Sequence, residues 1–592
     1  MTNPAPNDAA LERSSLDGRI AFVTAAFVLA FAFVALLDRV GAPERFVAVL
    51  APGIAIAGLS TLGFLLHSMR VSAYYAVGRA APAAYAGFAT AAVVAGLAFP
   101  FAAQFAGRSW FTGLCGGVFA GVAAIAFALG PILRKTGAFS LSGLLAARFP
   151  GLSPRLAVIV VAGAASICVA LAGQRVAVEA LVALTGAGRL FCAFLIGGAL
   201  LFVAGPGGLS GVLWSCAAAA GVALIGLGWP AISFMLQGVT PLQPFASGSA
   251  PAREAAALME RWGDLAPVRD GGASFLTALT AALGVATLAP LLAPFVATRD
   301  ERAARRAGLV TLAWTFVLVS LMATAIAGGA LSFSRTVTAH APEHLPESLY
   351  AASARGQLTI CGKRAADPAQ AREACAAKGL APGATLRPED VAGSTPFLLA
   401  GAPGLAGMGA AVAGLTVAAL VALGMALASS GVQAFATALG HETLYRLRGE
   451  ADLTSRRLAI TRLALVSVTA FGAVASAAAL FDPRALIGLA LGLSAAGVAP
   501  VAALAFWSRA ADHDALTAAL VGLLSTAAFV LWSRGAPTGE VYALAPLFGA
   551  TAGFAAGALS ALSRPIATPE NRAFVDAMLR GEGEVLERDK GA

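Results

Sequence analysis

Apolar runs long enough to cross a bilayer recur from residue 20 to residue 562, separated mostly by short polar links. A helix needs about 20 consecutive apolar residues to span a hydrocarbon core about 30 Å thick. Such runs occupy 20–40, 45–67, 83–105, 110–134, 155–187, 189–204, 208–236, 274–298, 307–331, 396–440, 459–481, 485–507, 515–533 and 541–562. They predict about fourteen transmembrane helices. In hydrocarbon each backbone N–H and C=O must find its partner within the protein, so the fold class is an all-α polytopic membrane protein. The run 396–440 is too long for one upright span. Gly401, Pro403, Gly404 and Gly407 predict that its first part lies outside the membrane or re-enters.

Charge supports the class and gives an orientation. Only 12% of the 592 residues are charged and 58% are hydrophobic, against about 25% charged in a soluble protein. That excludes a disordered chain and a nucleic-acid partner. The formal net charge of +9 is what cytoplasmic loops rich in Lys and Arg produce. With the N-terminus inside, those loops hold Arg70 and Arg79; Arg134, Lys135, Arg148 and Arg155; Arg299, Arg302, Arg305 and Arg306; and Arg446, Arg448, Arg456 and Arg457. The intervening short loops hold mostly single arginines (Arg108, Arg189, Arg484, Arg534). Both termini are therefore expected in the cytoplasm of a bacterium, with the chain in its inner membrane. The first span, with Arg13 and Arg19 before it and no clean cleavage site, reads as a retained helix. Phe574, Val575, Met578 and Leu579 predict a short amphipathic helix in the tail.

Two long polar insertions, 237–273 and 332–395, fall on the outer side. The second holds Cys361 and Cys375, fourteen positions apart in an oxidising compartment, which favours a disulfide over two free thiols. His67, His340, His344, His441 and His513 lie at span ends or in loops and form no metal-binding or catalytic pattern. The glycine-rich patches match no phosphate-binding loop, and the chain is read as a non-enzyme.

Helices interrupted by Gly or Pro at corresponding places in two halves mark the binding sites of transporters. The third span carries Gly87, Gly96 and Pro100, and the eighth carries Gly284, Pro290 and Pro294. Five spans separate them, the spacing of the first helices of two five-helix repeats. Both are expected to be broken.

Several stretches then resemble the sodium:solute symporter family, and within it the acetate-permease-like branch. YYAVGRAAPAAYAGFATAAVVAGLAF (74–99) is similar to that family's loop and first core helix, and LRKTGAFSLSGLLAARF (133–149) to the loop before its third. GGLSGVLWS (207–215) resembles the motif opening the fifth core helix, TRDERAARRA (298–307) the loop after the sixth, and TLYRL (443–447) the end of the eighth. The resemblance runs from about residue 45 to the tail.

The resemblance implies a 5+5 inverted-repeat core. The organisation is then two peripheral helices in 1–82, a first repeat in 83–236, the outer loop 237–273, and a second repeat in 274–507 with the large loop 332–395. Two peripheral helices in 508–562 and a cytoplasmic tail, 563–592, complete it. It also implies Na⁺-coupled symport of a small organic solute, a monocarboxylate such as acetate being the best guess, with a proton-coupled or uncoupled transporter and a non-transporting sensor or regulatory subunit as alternatives. Partners are the solute and the lipid bilayer, with room for a small membrane subunit.

For the Na⁺ site the resemblance implies backbone carbonyls near Ala91 and Val94 and a hydroxyl pair on the eighth core helix. Ungapped alignment places Leu427 and Ala428 at the hydroxyl positions, and Ser429 and Ser430 are the nearest pair. The branch's His and Arg late in the sixth core helix are replaced by apolar or Pro residues around Leu291–Phe295. Gln174 falls where the family keeps a glutamine, and it also suits a bond to a neighbouring helix. Arg175 and Glu179, four apart in a span, can face a solute carboxylate or form a structural pair. Thr90, Thr277 and Gln433 complete the candidate solute-binding residues.

Overall fold

The computed structural model describes residues 6–107, 113–239, 250–262, 271–381, 383–393, 395–445, 454–533, 538–563 and 568–580. Arg108, Arg446, Arg448, Arg534 and parts of the loop 237–273 and of the tail lie outside these residues. The chain opens with α1 (Pro6–Arg39) and α2 (Glu44–Leu65), and a short helix α3 (Val71–Ala76) leads into α4 (Ala83–Ala98). A 3-10 turn at Phe99–Phe101 carries α4 into α5 (Ala102–Gly107). A π-helical turn, Ile125–Leu129, joins α6 (Gly113–Ala124) to α7 (Gly130–Thr136), and α8 (Leu141–Arg148) follows. Then come α9 (Leu152–Thr185), α10 (Arg189–Ala204) and α11 (Leu209–Leu236).

The next part opens with α12 (Ala250–Arg261), α13 (Gly271–Thr287), α14 (Ala289–Val296) and the long α15 (Glu301–Thr338). A module between α15 and α18 holds α16 (Glu347–Ala354), β1 (Thr359–Ile360), α17 (Pro368–Ala377) and β2 (Val391–Ala392), the two strands pairing antiparallel. It is followed by α18 (Thr395–Leu405) and α19 (Ala410–Thr437), whose end continues as a π-helix, Ala438–Tyr445. The chain closes with α20 (Thr454–Ala477), α21 (Pro483–Leu493), a π turn at Ser494–Val498, α22 (Ala499–Ala505), α23 (Asp512–Trp532), α24 (Thr538–Leu562) and α25 (Pro569–Arg580).

Among the described residues twelve helices are long and apolar enough to cross a membrane, and the bent pair α13–α14 makes a thirteenth. The apolar α10 adds a shorter one of 16 residues. The chain is an all-α multi-pass membrane protein. The run 396–440 divides at Gly407 and Gly409, both at positive φ, which separate α18 from α19. In the tail α25 buries Val575 and Met578.

The most enclosed spans are Ala83–Ala106 and Ala410–Thr443, each 89% buried, whereas Ala21–Arg39 of α1 is 11% buried. α19 lies against α9 along glycines. A Cβ on Gly424 would stand 2.8 Å from the Ala177 nitrogen and 2.9 Å from the Gly173 oxygen, and one on Gly431 would stand 2.6 Å from the Ala170 nitrogen. Without a hydrophobic drive between helices in lipid, such backbone-to-backbone approach supplies the dispersion contact that holds them.

The expectation of two broken helices holds for one. α13 ends at Thr287, Leu288 adopts an extended conformation, and α14 restarts with Pro290 in its first turn, where the missing N–H costs nothing. The axes bend by 42°. The third span, in contrast, is a regular helix from Ala83 to Ala98. Its glycines serve packing: a Cβ at Gly87 would meet Val310 and the Ala307 carbonyl, and one at Gly96 would meet Leu423 and Leu427 of α19. Pro100 is taken up in the 3-10 turn that follows.

The two long polar insertions meet. Trp262, just after α12, donates from Nε1 to the Val391 carbonyl of β2 at 3.0 Å, and Ser334 of α15 donates to Glu254 Oε1 at 2.7 Å. Within the module Cys361 and Cys375 are joined by a disulfide with Cα atoms 5.1 Å apart, and Lys378 pairs with Asp390 at 3.0 Å. The module is tied to the end of α9, where Arg355 donates to the carbonyls of Ala183 (2.8 Å) and Leu184 (3.3 Å) and Gln357 donates to Ala183 at 2.9 Å.

Candidate transport site

The break in the eighth span faces other elements that depart from regular helix. Thr287 donates to the Leu283 carbonyl at 2.8 Å and reaches the Ser494 carbonyl, in the π turn after α21, at 3.2 Å. The Ser494 hydroxyl is buried with no hydrogen-bond partner among the described residues. π turns inside membrane helices leave backbone groups out of the regular ladder and often sit at functional places.

On the other side of the break, Ala289 and Ala293 of α14, Ala162 and Ser166 of α9 and Gln433 and Thr437 of α19 line a cavity of about 20 Å³. That is room for about one water. Ser166 and Thr437 return their hydroxyl protons to their own helices, to Ala162 (2.7 Å) and Gln433 (2.9 Å). Gln433 Nε2 reaches Thr437 Oγ1 at 3.4 Å, and its Oε1 is buried without a partner among the described residues. An unpaired amide acceptor on a residue that lines a cavity between a broken helix and a long one is a ready hydrogen-bonding group for a small polar solute.

Tyr75, Phe139, Ser140 and Ser142 also line this cavity. These residues belong to the loops rich in arginine. His441, buried in the π-helical end of α19, lies between the Tyr75 ring (5.2 Å between centroids) and the Phe139 ring (5.0 Å). The Arg457 guanidinium bonds the His441 Nδ1 and lies 5.2 Å over the Tyr75 ring. The Tyr75 hydroxyl shares a hydrogen bond with Thr461 at 2.6 Å, and burial pushes its phenol pKa up, so it stays neutral. Ser142 donates to Glu442 Oε2, and Arg155 donates to the Glu442 carbonyl at 2.8 Å. Three left-handed residues in a row, Val77, Gly78 and Arg79 (φ 55°, 61° and 56°), connect Tyr75 to α4. Val77 is β-branched, so its backbone there stores strain of about 1–3 kcal/mol.

Of the solute residues expected from sequence, Gln433 lines this cavity. Thr90 is buried on α4 with its hydroxyl donated to Ala86 at 3.0 Å, and Thr277 is half-buried on α13. Gln174 and Arg175 face α20 instead: Gln174 Nε2 donates to the Thr469 carbonyl at 3.0 Å and Arg175 Nη1 to that of Ser476 at 2.7 Å. Arg175 also pairs with Glu179 at 2.7 Å. Ser429 and Ser430 are buried and donate to Ala426 (3.3 Å) and Leu427 (2.9 Å). The Ser429 hydroxyl lies 3.8 Å from Cys216 Sγ of α11. Ala91 and Val94 are buried inside the regular part of α4, where their carbonyls belong to the helix ladder. A hard cation takes about five or six oxygens, and in this conformation the two hydroxyls are the side-chain oxygens those four positions supply.

The sequence reading missed His441, Arg457, Glu442 and Tyr75 as a group. The available signal was a His–Glu pair in the last turn of an otherwise apolar span.

The sequence matches no family model and no curated protein. Its fold resembles that of a Na⁺-coupled sialic acid symporter solved in a substrate-bound outward-open state, with a TM-score of 0.64 and 15% identity, covering 89% of this chain and 98% of that one. Mhp1, a nucleobase-cation-symport-1 family transporter, aligns over 86% of this chain and 100% of its own at a TM-score of 0.43 and 12% identity. A manganese transporter of Eremococcus coleocola aligns over 86% of this chain and 95% of its own at a TM-score of 0.41 and 14% identity.

Proposed function

We propose that the chain is a secondary active transporter of the bacterial inner membrane, both termini cytoplasmic, that carries a small organic solute by alternating access. The observation that carries this reading is the eighth span broken at Leu288, with its second half against α9 and α19 around a small cavity that residues of the arginine-rich loops also line. Solute reaches Gln433 and Thr437 when the outer path is open. It leaves when Tyr75, Phe139 and His441 part from Arg457, Thr461 and Glu442. The two five-helix repeats, 83–236 and 274–507, supply the moving and the fixed parts. The likeness in fold to a Na⁺-coupled symporter and the sequence resemblance support Na⁺ as the coupling ion and a monocarboxylate such as acetate as the solute. Ser429, Ser430, Ala91 and Val94 are the ligands of that reading.

A proton-coupled or uncoupled carrier is a second reading, favoured by the regular course of α4 through Ala91 and Val94. Uptake of labelled acetate into vesicles holding the purified chain separates the two. A Na⁺ gradient is expected to drive accumulation, and Ser429→Ala or Ser430→Ala to raise the Na⁺ concentration needed. Equal uptake on a proton gradient alone rejects Na⁺ coupling. Absence of uptake for any small acid rejects transport and points to a regulatory subunit.

A further inference from the structure

A cavity of about 900 Å³ lies away from the transport site, between α1, α2, α4 and α11. Its walls include Phe22, Phe27 and Phe31 of α1, Leu62 and Leu65 of α2, Tyr85 and Phe88 of α4, and Trp214 and Gly221 of α11. Few polar atoms face it. α1 is held at its far end, where Phe31 and Val34 are buried and Asp38 Oδ2 accepts from the Ala411 nitrogen at 3.2 Å. Its first half stands off the body, with Phe22 75% exposed. The result is a wedge-shaped groove that opens where water is excluded.

We infer that this groove holds the acyl chains of an anionic phospholipid. The lining of α1 from Gly18 to Phe31 is about 20 Å long at 1.5 Å per residue, enough to cover one leaflet of hydrocarbon, about 15 Å. It begins where α2 ends and α4 and α11 begin, which is the arginine-rich side of the molecule. At that depth the rings of Tyr85 and Trp214 lie 4.9 Å apart at 42° to each other, and Tyr and Trp are the residues enriched at a membrane interface. Phe88 continues the cluster to Trp314 of α15 at 5.1 Å. Toward the start of α15, Arg306 and Arg302 are exposed eight and twelve residues before Trp314, about 12 and 18 Å along the helix axis, and Arg70 is exposed five residues beyond the end of α2. The chains fill an apolar space that neither water nor the protein fills, and the phosphate meets guanidinium groups.

The full-length protein, stripped of lipid in detergent, is titrated with phosphatidylglycerol and with phosphatidylcholine under native mass spectrometry. Retention of phosphatidylglycerol at least about tenfold stronger is expected, and equal retention overturns the proposal. A Cβ at Gly221 meets nothing within 4 Å, so Gly221→Phe has room to fill the groove. It is expected to keep the wild-type Tm and to weaken phosphatidylglycerol binding by about tenfold; undiminished binding overturns the proposal. Independently of that variant, phosphatidylglycerol brominated on its chains is expected to quench the fluorescence lost in Trp214→Phe. Unquenched Trp214 overturns it, as does a dimer or a copurified small membrane protein that Gly221→Phe disperses.

Discussion

At the scale of single residues, Val77 is the most unusual position. A valine at φ 55° keeps a conformation that glycine would adopt freely, and it sits between the closing residue Tyr75 and the start of α4. Val77→Gly is expected to stabilise the folded state by about 1 kcal/mol, the strain released exceeding the entropy a glycine adds to the unfolded chain. A thermal melt in detergent reads it, and a lower Tm rejects the strain. The closing group itself was illegible in the sequence for a plain reason. His441 owes its place to rings 366 and 302 positions earlier and to Arg457 after a loop, and local patterning carries no information about such meetings. Gln174 illustrates the opposite case. Both of its readings were on the table, and the structure shows its amide bonded to a backbone carbonyl of α20, with Gly472 leaving the space for its Oε1.

Among elements, the spans themselves were legible because hydropathy over about 20 residues is a local property. Breaks within them were half legible. Pro290 suits the first turn of a helix, where no N–H is needed, and the eighth span breaks just before it. Glycines serve both unwinding and close packing, so Gly87 and Gly96 pointed to a break that packing against α15 and α19 makes unnecessary. The α9–α19 contact depends on the same use of glycine. Gly424→Val, with backbone atoms at 2.8 and 2.9 Å from the new Cβ, is expected to cost about 3 kcal/mol or more and to abolish solute uptake, measured by Tm and by vesicle assay. Wild-type stability would reject the close contact. The module between α15 and α18 gives a further check. Its disulfide closes a loop of about 15 residues, worth about 3 kcal/mol in chain entropy. Cys361→Ser is therefore expected to leave the membrane helices intact while making the segment around 361–390 sensitive to protease.

For the whole molecule, the scarcity of charge that defines its class also concentrates what charge there is. The buried Arg134, Arg148, Arg175 and Arg457 each donate to protein acceptors, and the first three bond backbone carbonyls. Carbonyl acceptors carry no net charge to titrate, so the bonds of Arg134 and Arg148 are expected to tolerate pH between about 6 and 9, well below the range in which guanidinium deprotonates. Circular-dichroism melts across that range check it, and a sharp stability maximum would reject it.

α9 shows what such bonding does mechanically. Arg155 near one end grips the Glu442 carbonyl, and at the other end Arg355 and Gln357 grip the last carbonyls of α9 itself. A rod fixed at both ends resists tilt and bears load along its length. α14 lies against this rod, so in the proposed transport cycle a swing of α14 would meet a helix braced at both ends, with the module that carries Arg355 and Gln357 tied to its tip.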